Sequence, residues 1–460
     1  MQRPDQVRLR RLPTARRRNA RERKHTMKAP TVAKNTFYLY VMTAAKFVLP
    51  LIITAWLTRR LGPDSYGVIS YLTPVMGYFT LLFDFGFNFS ATKKISQHKD
   101  DKQLIEKTIS AVYTAKLLLT LVGVLLLAAM SLFVEIIREH LLLTILYYIS
   151  TAAQIFIPDF LYRGLEKMEG VTTRYIIAKL VSAVLILVTV RNDDVLLLVP
   201  VAYLTGTVVA AVYTNRHMVR GLGFRMSLSG IGEAIAELKE ATVYFVSTFA
   251  STALSVTSTF VMGVVGMEPA QIAYWSVAFQ VIQAVQAMYD PITTSVYPHV
   301  AEKKNHRLVL RLTAYLLPVV AAGCAALFWL ANTAVTVIAG SEYLAAVPVL
   351  QTLIPVLFFS FIAQMFGFPL LGAMGKERQT SWSILAAGGI QIAGLVLLAL
   401  TDTFTLSSLA ILRNITEFIL AALRTYYVCI LLKELKHTAA NFADIHGGQY
   451  EGQDRSGDPL

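Results

Sequence analysis

The chain carries little charge for its length. Only 15% of its 460 residues are Asp, Glu, Lys or Arg, where soluble domains carry about a quarter. Cysteine is nearly absent: Cys324 and Cys429 both fall inside apolar runs. That leaves no disulfide framework and no thiolate metal site, and both read as packing residues. There is no G-x-x-x-x-G-K-[ST], so no built-in ATPase; residues 372–376 hold only a short GAMGK. No H-E-x-x-H and no Cys/His cluster is present, which leaves no metal motif. The eight histidines are scattered, and no Ser/His/Asp set can be argued from spacing alone.

What fills the chain is apolar: 55% of residues are hydrophobic and the mean hydropathy is +0.54. The pattern is a run of about 20 apolar residues, then a short polar loop, and about 20 residues of helix span the ~30 Å hydrocarbon layer. The runs are continuous rather than alternating, which favours helices over a barrel. The expectation is an all-α integral membrane protein with twelve transmembrane helices. The spans read as Asn35–Leu57, Tyr66–Phe89, Thr108–Phe133, Leu141–Leu161, Thr172–Val190, Val195–Thr214, Ala241–Val264, Gln271–Tyr297, Val309–Leu330, Ala346–Leu371, Thr380–Leu400 and Thr405–Leu432.

The net charge of +13 invites a nucleic-acid reading, but the charges follow the loops. With a cytoplasmic N-terminus, the even loops and their flanks hold eighteen Lys and Arg, the odd loops four: Arg59, Arg60, Arg138 and Arg191. This positive-inside bias predicts both termini in the cytoplasm, and the excess charge then meets anionic lipid rather than nucleic acid. Residues 1–34 form a basic tail with twelve Lys and Arg, of disordered composition. The tail is either genuine or upstream of a true start at Met27. The chain divides into that tail, an N-lobe of six spans (35–214), a central loop (215–240), a C-lobe of six spans (241–432) and a polar tail (433–460). In the central loop, Ala234–Glu240 reads as a short interfacial helix.

The halves echo each other. Tyr66-Gly67 and Asp84 in the first correspond to Ile272-Ala273 and Asp290 in the second, offset by 206 positions. Basic pairs, Lys93-Lys94 and Lys303-Lys304, follow each acid. Two parallel six-helix repeats about an axis along the membrane normal fit this pattern.

The stretch LTRRLGPDSYGVISYLTPVMGYFTLLFDFGFNFSATKKIS (Leu57–Ser96) resembles the N-terminal signature of Wzx-type polysaccharide flippases, of the multidrug/oligosaccharidyl-lipid/polysaccharide exporter superfamily. IPDFLYRGLEKMEGVTTR (Ile157–Arg174), YDPITTSVYPHVAEK (Tyr289–Lys303) and PLLGAMGKERQT (Pro369–Thr380) resemble the same family's later loops, in the same order. The resemblance runs from about Ala29 to Leu435. It implies a V-shaped fold of two six-helix lobes around a central cavity. It also implies a flippase for an undecaprenyl-diphosphate-linked oligosaccharide in a bacterial inner membrane, serving O-antigen, capsule or exopolysaccharide assembly. Expected partners are that lipid-linked sugar, membrane lipids, a polysaccharide polymerase and a chain-length regulator. No cofactor is expected beyond a coupling proton or sodium.

Ionisable residues inside spans are the functional candidates, because burying them costs several kcal/mol. Lys46 sits mid-span, about 16 Å from either surface, too deep to snorkel out. Pro50, one turn on, can bend the helix there. Lys116 and Lys179 lie about 11 Å deep in spans three and five; they either join Lys46 around a cationic cavity or snorkel. Arg59 and Arg60, at the outer exit of span one, are a release-side phosphate contact or solvated turn residues near Asp64. Asp84, Asp159 and Asp290, near the inner ends of even spans, are candidates for a gate or an ion-coupling site, or plain helix-end pairs. Asp159 and Arg163 are spaced to pair at i, i+4. Arg413 and Glu417 read as a self-neutralising pair, and Arg424 as snorkelling. The expected mechanism is rocking of the lobes as a secondary-type transporter, not an enzyme. The rivals are a drug or metabolite antiporter, whose cavity needs acids, and a membrane-embedded polymerase or ligase, which needs larger outer loops.

Overall fold

The computed structural model describes residues 48–447, with no strand among them. The basic tail, Met27, Lys46 and most of the first expected span lie outside the described residues, as do residues 448–460. Helix α1 covers residues 48–60. It is followed by α2 (Pro63–Gln97), α3 (Lys102–Phe133), α4 (Leu141–Gly164), α5 (Met168–Thr189) and α6 (Leu198–Gly221). Next come α7 (Ile231–Val264), α8 (Pro269–Gln286) and α9 (Asp290–Lys303). Last are α10 (His306–Ala339), α11 (Ala346–Gly372) and α12 (Glu377–Leu400), then α13 (Leu406–Gly447).

Among the described residues, nine helices are long and apolar enough to cross a membrane: α2 to α6 and α10 to α13. Their outward faces carry large apolar side chains such as Leu125, Phe133, Val319, Trp329 and Leu397. A soluble fold would bury these, whereas lipid solvates them. The chain is a multi-pass helical membrane protein.

Local chemistry sets the helix ends. Pro63 opens α2 behind Gly62, with Asp64 in the first turn, where proline loses no hydrogen bond and an acid faces the positive end of the dipole. Asp101 caps α3 by accepting from the Leu104 amide at 3.0 Å, and Asn305 caps α10 through Leu308 at 3.3 Å. Gly340, at φ 95°, stops α10.

The 206-residue echo reappears in the backbone. Pro63 and Pro269 open α2 and α8, while Gln97 and Lys303 close α2 and α9. Each pair is 206 positions apart. Each rod breaks at its acid: Phe85 (φ 41°) and Gly86 (φ 81°) follow Asp84, and the gap between α8 and α9 ends at Asp290. The two rods lie against each other. At Gly67 a Cβ would overlap the Pro269 carbonyl, so the crossing admits only glycine there.

The structure corrects the central segment. α6 continues through a π turn to Gly221 and α7 begins at Ile231, so non-helical chain is confined to 222–230 rather than 215–240. Ala234–Glu240, read as a short interfacial helix leading into span seven, is helical and runs without a break into the 34-residue α7. The tail expected from 433 is helical as far as Gly447. Cys324 is half-buried, but Cys429 is exposed rather than packed.

The end of the bundle where α2 and α9 finish, carrying Lys93, Lys94, Lys303 and Lys304, is its basic end. There α2 is seamed to α7. Phe85 stacks on Phe245 with centroids 4.3 Å apart, and Phe89 stacks on Tyr244 at 5.9 Å. Lys94 pairs with Glu237 and reaches Glu240 at 3.9 Å. At the far end the halves meet on Tyr343, whose ring packs edge-on against Tyr66 and Tyr274. Its hydroxyl donates to the Leu61 carbonyl at 3.1 Å. Burial raises this phenol above its usual range, so it remains a donor.

Candidate functional site

Between the far-end seam and the basic end, cavities run from the first half of the chain to the second. A cavity of about 340 Å³ lies among α2, α3, α4 and α5 and is lined by Asp84, Asn88, Lys116, Asp159 and Arg174. A neighbour of about 540 Å³ shares Thr80, Gln154, Asp159 and Arg174 with it, and adds Arg163, Lys179 and Tyr203. Four cations and two acids thus face one chamber.

The side chains are held as follows. Lys116, on α3, is 6% exposed; its ammonium stands 4.0 Å from Asp84 and 5.7 Å from the Phe160 ring. Asp84 is also held by Asn88, one turn on, which donates at 2.7 Å. Lys179, on α5, lies 5.5 Å from the Tyr203 ring. Arg174 clamps Asp159 with both arms of its fork, Nε at 2.6 Å. The Arg163 Nε is buried with no hydrogen-bond partner.

Sequence spacing paired Asp159 with Arg163; the structure pairs it with Arg174. α4 breaks at Ala153–Phe156 and Pro158, so Asp159 starts a fresh short helix and faces α5. Arg163 is left facing the chamber. Arg174, counted from sequence only as a loop charge, belongs to the site. Spacing gave no signal for it, since the five-residue step to Lys179 turns about 140° around the helix.

Arg59 and Arg60 stand apart from this chamber. The Arg59 guanidinium donates to the Val337 carbonyl at 2.5 Å, beside a hydroxyl bond from Thr58 to Ile338. Arg60 lies over Trp56 at 4.7 Å, and Trp56 donates to the Val190 carbonyl. Arg59 thus joins the far-end seam, while Arg60 stays on its own half. Lys46 lies outside the described residues.

Two further cavities of about 410 Å³ continue along α8. The first adjoins the cationic chamber through Pro50, Ile53, Thr73, Gly77 and Tyr203. The second holds Asp290 with Gln280, Gln283, Gln286 and Gln364. The sequence reading found Asp290 but missed these amides. Their signal was a stripe at intervals of three or four: Ser276, Phe279 and Gln280, Gln283, Ala287, Asp290.

Deeper in the second half, the expected Arg413–Glu417 pair forms at 2.5 Å. Arg424 does not snorkel. It is 6% exposed and donates to Ser383 at 3.1 Å and to the Ala363 carbonyl. The Ala363 carbonyl, which also accepts from the Gly367 amide where the π turn of α11 begins, gives it a partner inside the bundle.

A family model described as "Polysaccharide biosynthesis protein" matches residues 32–304, more than half of the chain. A protein of Escherichia coli (strain K12) named "Putative O-antigen transporter" is 23% identical over 405 residues, covering 86% of this chain and 97% of that protein. Among solved structures, the inward-facing conformation of a multidrug resistance MATE family transporter of the MOP superfamily aligns with a TM-score of 0.67 at 16% identity. It covers 88% of this chain and 99% of that one. The lipid II flippase MurJ, in an inward closed conformation, gives 0.66 at 13% identity, over 86% of this chain and 87% of that one. At such identities these two speak for the fold alone. The chain belongs to the polysaccharide biosynthesis protein family, on the helical fold of the MOP-superfamily transporters.

Proposed function

We propose that the protein is a flippase. It carries an undecaprenyl-diphosphate-linked oligosaccharide from the cytoplasmic to the outer leaflet of a bacterial inner membrane for cell-surface polysaccharide assembly. The observation that carries this reading is the chamber in which Lys116, Lys179, Arg163 and Arg174 face two acids only. Cations held inside a membrane protein are costly unless they face water or a partner, and a diphosphate is the partner their surplus suits. The Arg163 guanidinium and the Lys116 and Lys179 ammoniums would take its oxygens. Asp84 and Asp159 hold the cations while the chamber is empty. Lys46 is assigned to the same pathway. The names of the transporter relative and of the flippase neighbour support this substrate class.

In this reading α1 completes the first span, α7 is the seventh, and α8 with α9 forms the eighth, giving twelve spans in two six-helix lobes. The basic end is cytoplasmic, with both termini there. The closed far-end seam at Tyr343 and Arg59 is the outer gate. The lobes rock about the chamber while the lipid tail stays in the bilayer. An ion gradient or consumption of product drives the cycle as secondary transport, with a proton or sodium at Asp84, Asp159 or Asp290. A cationic chamber repels cationic drugs, which sets the antiporter reading aside.

The test is a deletion strain with lipid analysis. Undecaprenyl-linked repeat units accumulate on the cytoplasmic face, the wild-type gene clears them, and Lys116→Ala with Lys179→Ala does not. Full clearance by that double variant refutes the assignment of the chamber. No accumulation in the deletion strain refutes the function.

A further inference from the structure

We propose that the α8 face of the chamber is the sugar subsite, and that it selects uncharged sugars. This rests on the flippase reading and deepens it. The chamber is chemically divided. Its first-half part is lined by four cations and two acids. Among the described residues, no lysine or arginine lines the two cavities along α8. Asp290 is the one charged side chain there, again among the described residues.

In place of cations stand carboxamides. Gln280 and Gln283 line both cavities, and Gln286 and Gln364 line the one beside Asp290. Gln280 lies eleven residues into α8, about 16 Å along its axis. None of these four amides has a hydrogen-bond partner among the described residues. Amides at that depth need water or a ligand.

A carboxamide is donor and acceptor at once, as is a sugar hydroxyl or an N-acetyl group. Amides on successive turns of one helix face can serve neighbouring rings of an oligosaccharide. Phe279 lines the same cavity, with Trp275 stacked on it at 5.7 Å and the Arg413 guanidinium 5.8 Å over its ring, so it adds apolar wall rather than an open ring face. Ser276 adds a hydroxyl. Beside Asp290 an acidic sugar would lose hydration, meet no cation among the described lining residues and face the carboxylate; that is selection by repulsion. The diphosphate and the sugars therefore occupy opposite sides of one chamber, joined at Thr73, Gly77 and Tyr203.

The test uses the purified full-length chain in lipid nanodiscs and three probes. They are undecaprenyl diphosphate, the same lipid bearing a neutral tetrasaccharide, and the same lipid bearing a tetrasaccharide with one uronic acid. Wild type is expected to bind the neutral glycolipid ~10-fold more tightly than the bare lipid and than the acidic glycolipid. Gln280→Ala with Gln283→Ala should erase that gain and leave the bare lipid's affinity unchanged. Gln283→Arg should reverse the order of the two glycolipids. Gln283 and Asp290 are exposed in the chamber, so thermal unfolding should match wild type, and Asp290→Asn offers a second variant that should admit the acidic probe. Equal affinity for both glycolipids, or a double variant indistinguishable from wild type, overturns the sugar subsite while bare-lipid binding preserves the flippase reading. Failure of all three probes to bind overturns both.

Discussion

α2 and the α8–α9 rod share a scaffold and differ in what surrounds it. Both begin at a proline, break at an aspartate and end 206 positions apart. Around Asp84 the neighbouring helices bring Lys116 and, beyond it, the Arg174–Asp159 clamp. Around Asp290 the glutamines stand on α8 itself, and α11 adds Gln364. The difference teaches that the repeat fixes geometry, whereas the chemistry comes from packed neighbours on one side and from the rod's own face on the other. On the proposed reading, charge recognition belongs to the α2 side, and neutral hydrogen bonding to the α8 side.

The sharpest way to break this comparison is to remove a charge from each side. Arg174→Ala leaves the half-buried Asp159 carboxylate without its partner, and should cost about 1.5–3 kcal/mol in thermal or denaturant unfolding. Asp290→Ala, at an exposed acid, should move stability by less than about 0.5 kcal/mol. Equal losses would deny that the two sides differ.

Next in size is the crossing of the rods. Gly67→Val drives a side chain into the Pro269 backbone and should cost about 1–3 kcal/mol, with loss of monodisperse protein on size exclusion. Its 206-offset partner Ala273 is itself buried, and Ala273→Gly should cost only about 1 kcal/mol, the helix penalty for glycine. If Gly67→Val folds normally, the close approach described here is wrong.

A smaller effect isolates function from stability. Arg163→Ala orphans no acid, so unfolding should be unchanged while clearance of lipid-linked repeat units slows ~10-fold, about what one charged hydrogen bond supplies. Normal clearance would remove Arg163 from the pathway. The smallest change is at the far end. Arg59→Ala removes one exposed bond to Val337 and should shift stability by no more than about 1 kcal/mol, read in the same unfolding assay.

Much of this was legible in the sequence. Apolar runs gave the helices, because lipid makes length and hydropathy decisive. The offset of Asp84 and Asp290 gave the repeat. Lys116 and Lys179 stood out because their depth demanded a polar neighbour. What could not be read was pairing. The i, i+4 rule joined Asp159 to Arg163, but it holds only along an unbroken helix, and α4 breaks just before Asp159. Arg424 was assigned to the surface by its distance from the helix end, yet its partner came from α11. Glutamines went unnoticed because an amide raises no alarm in a hydropathy profile.

Asp84 and Phe85 are neighbours on the chain, their Cα atoms about 3.8 Å apart across one rigid peptide plane. One reaches Lys116 in the chamber; the other, in a left-handed twist that phenylalanine seldom adopts, stacks on Phe245 of α7. A hinge so short has no slack, so turning that plane to free the carboxylate must also shift the ring. In the proposed transport cycle, trigger and latch are thus a single mechanical part.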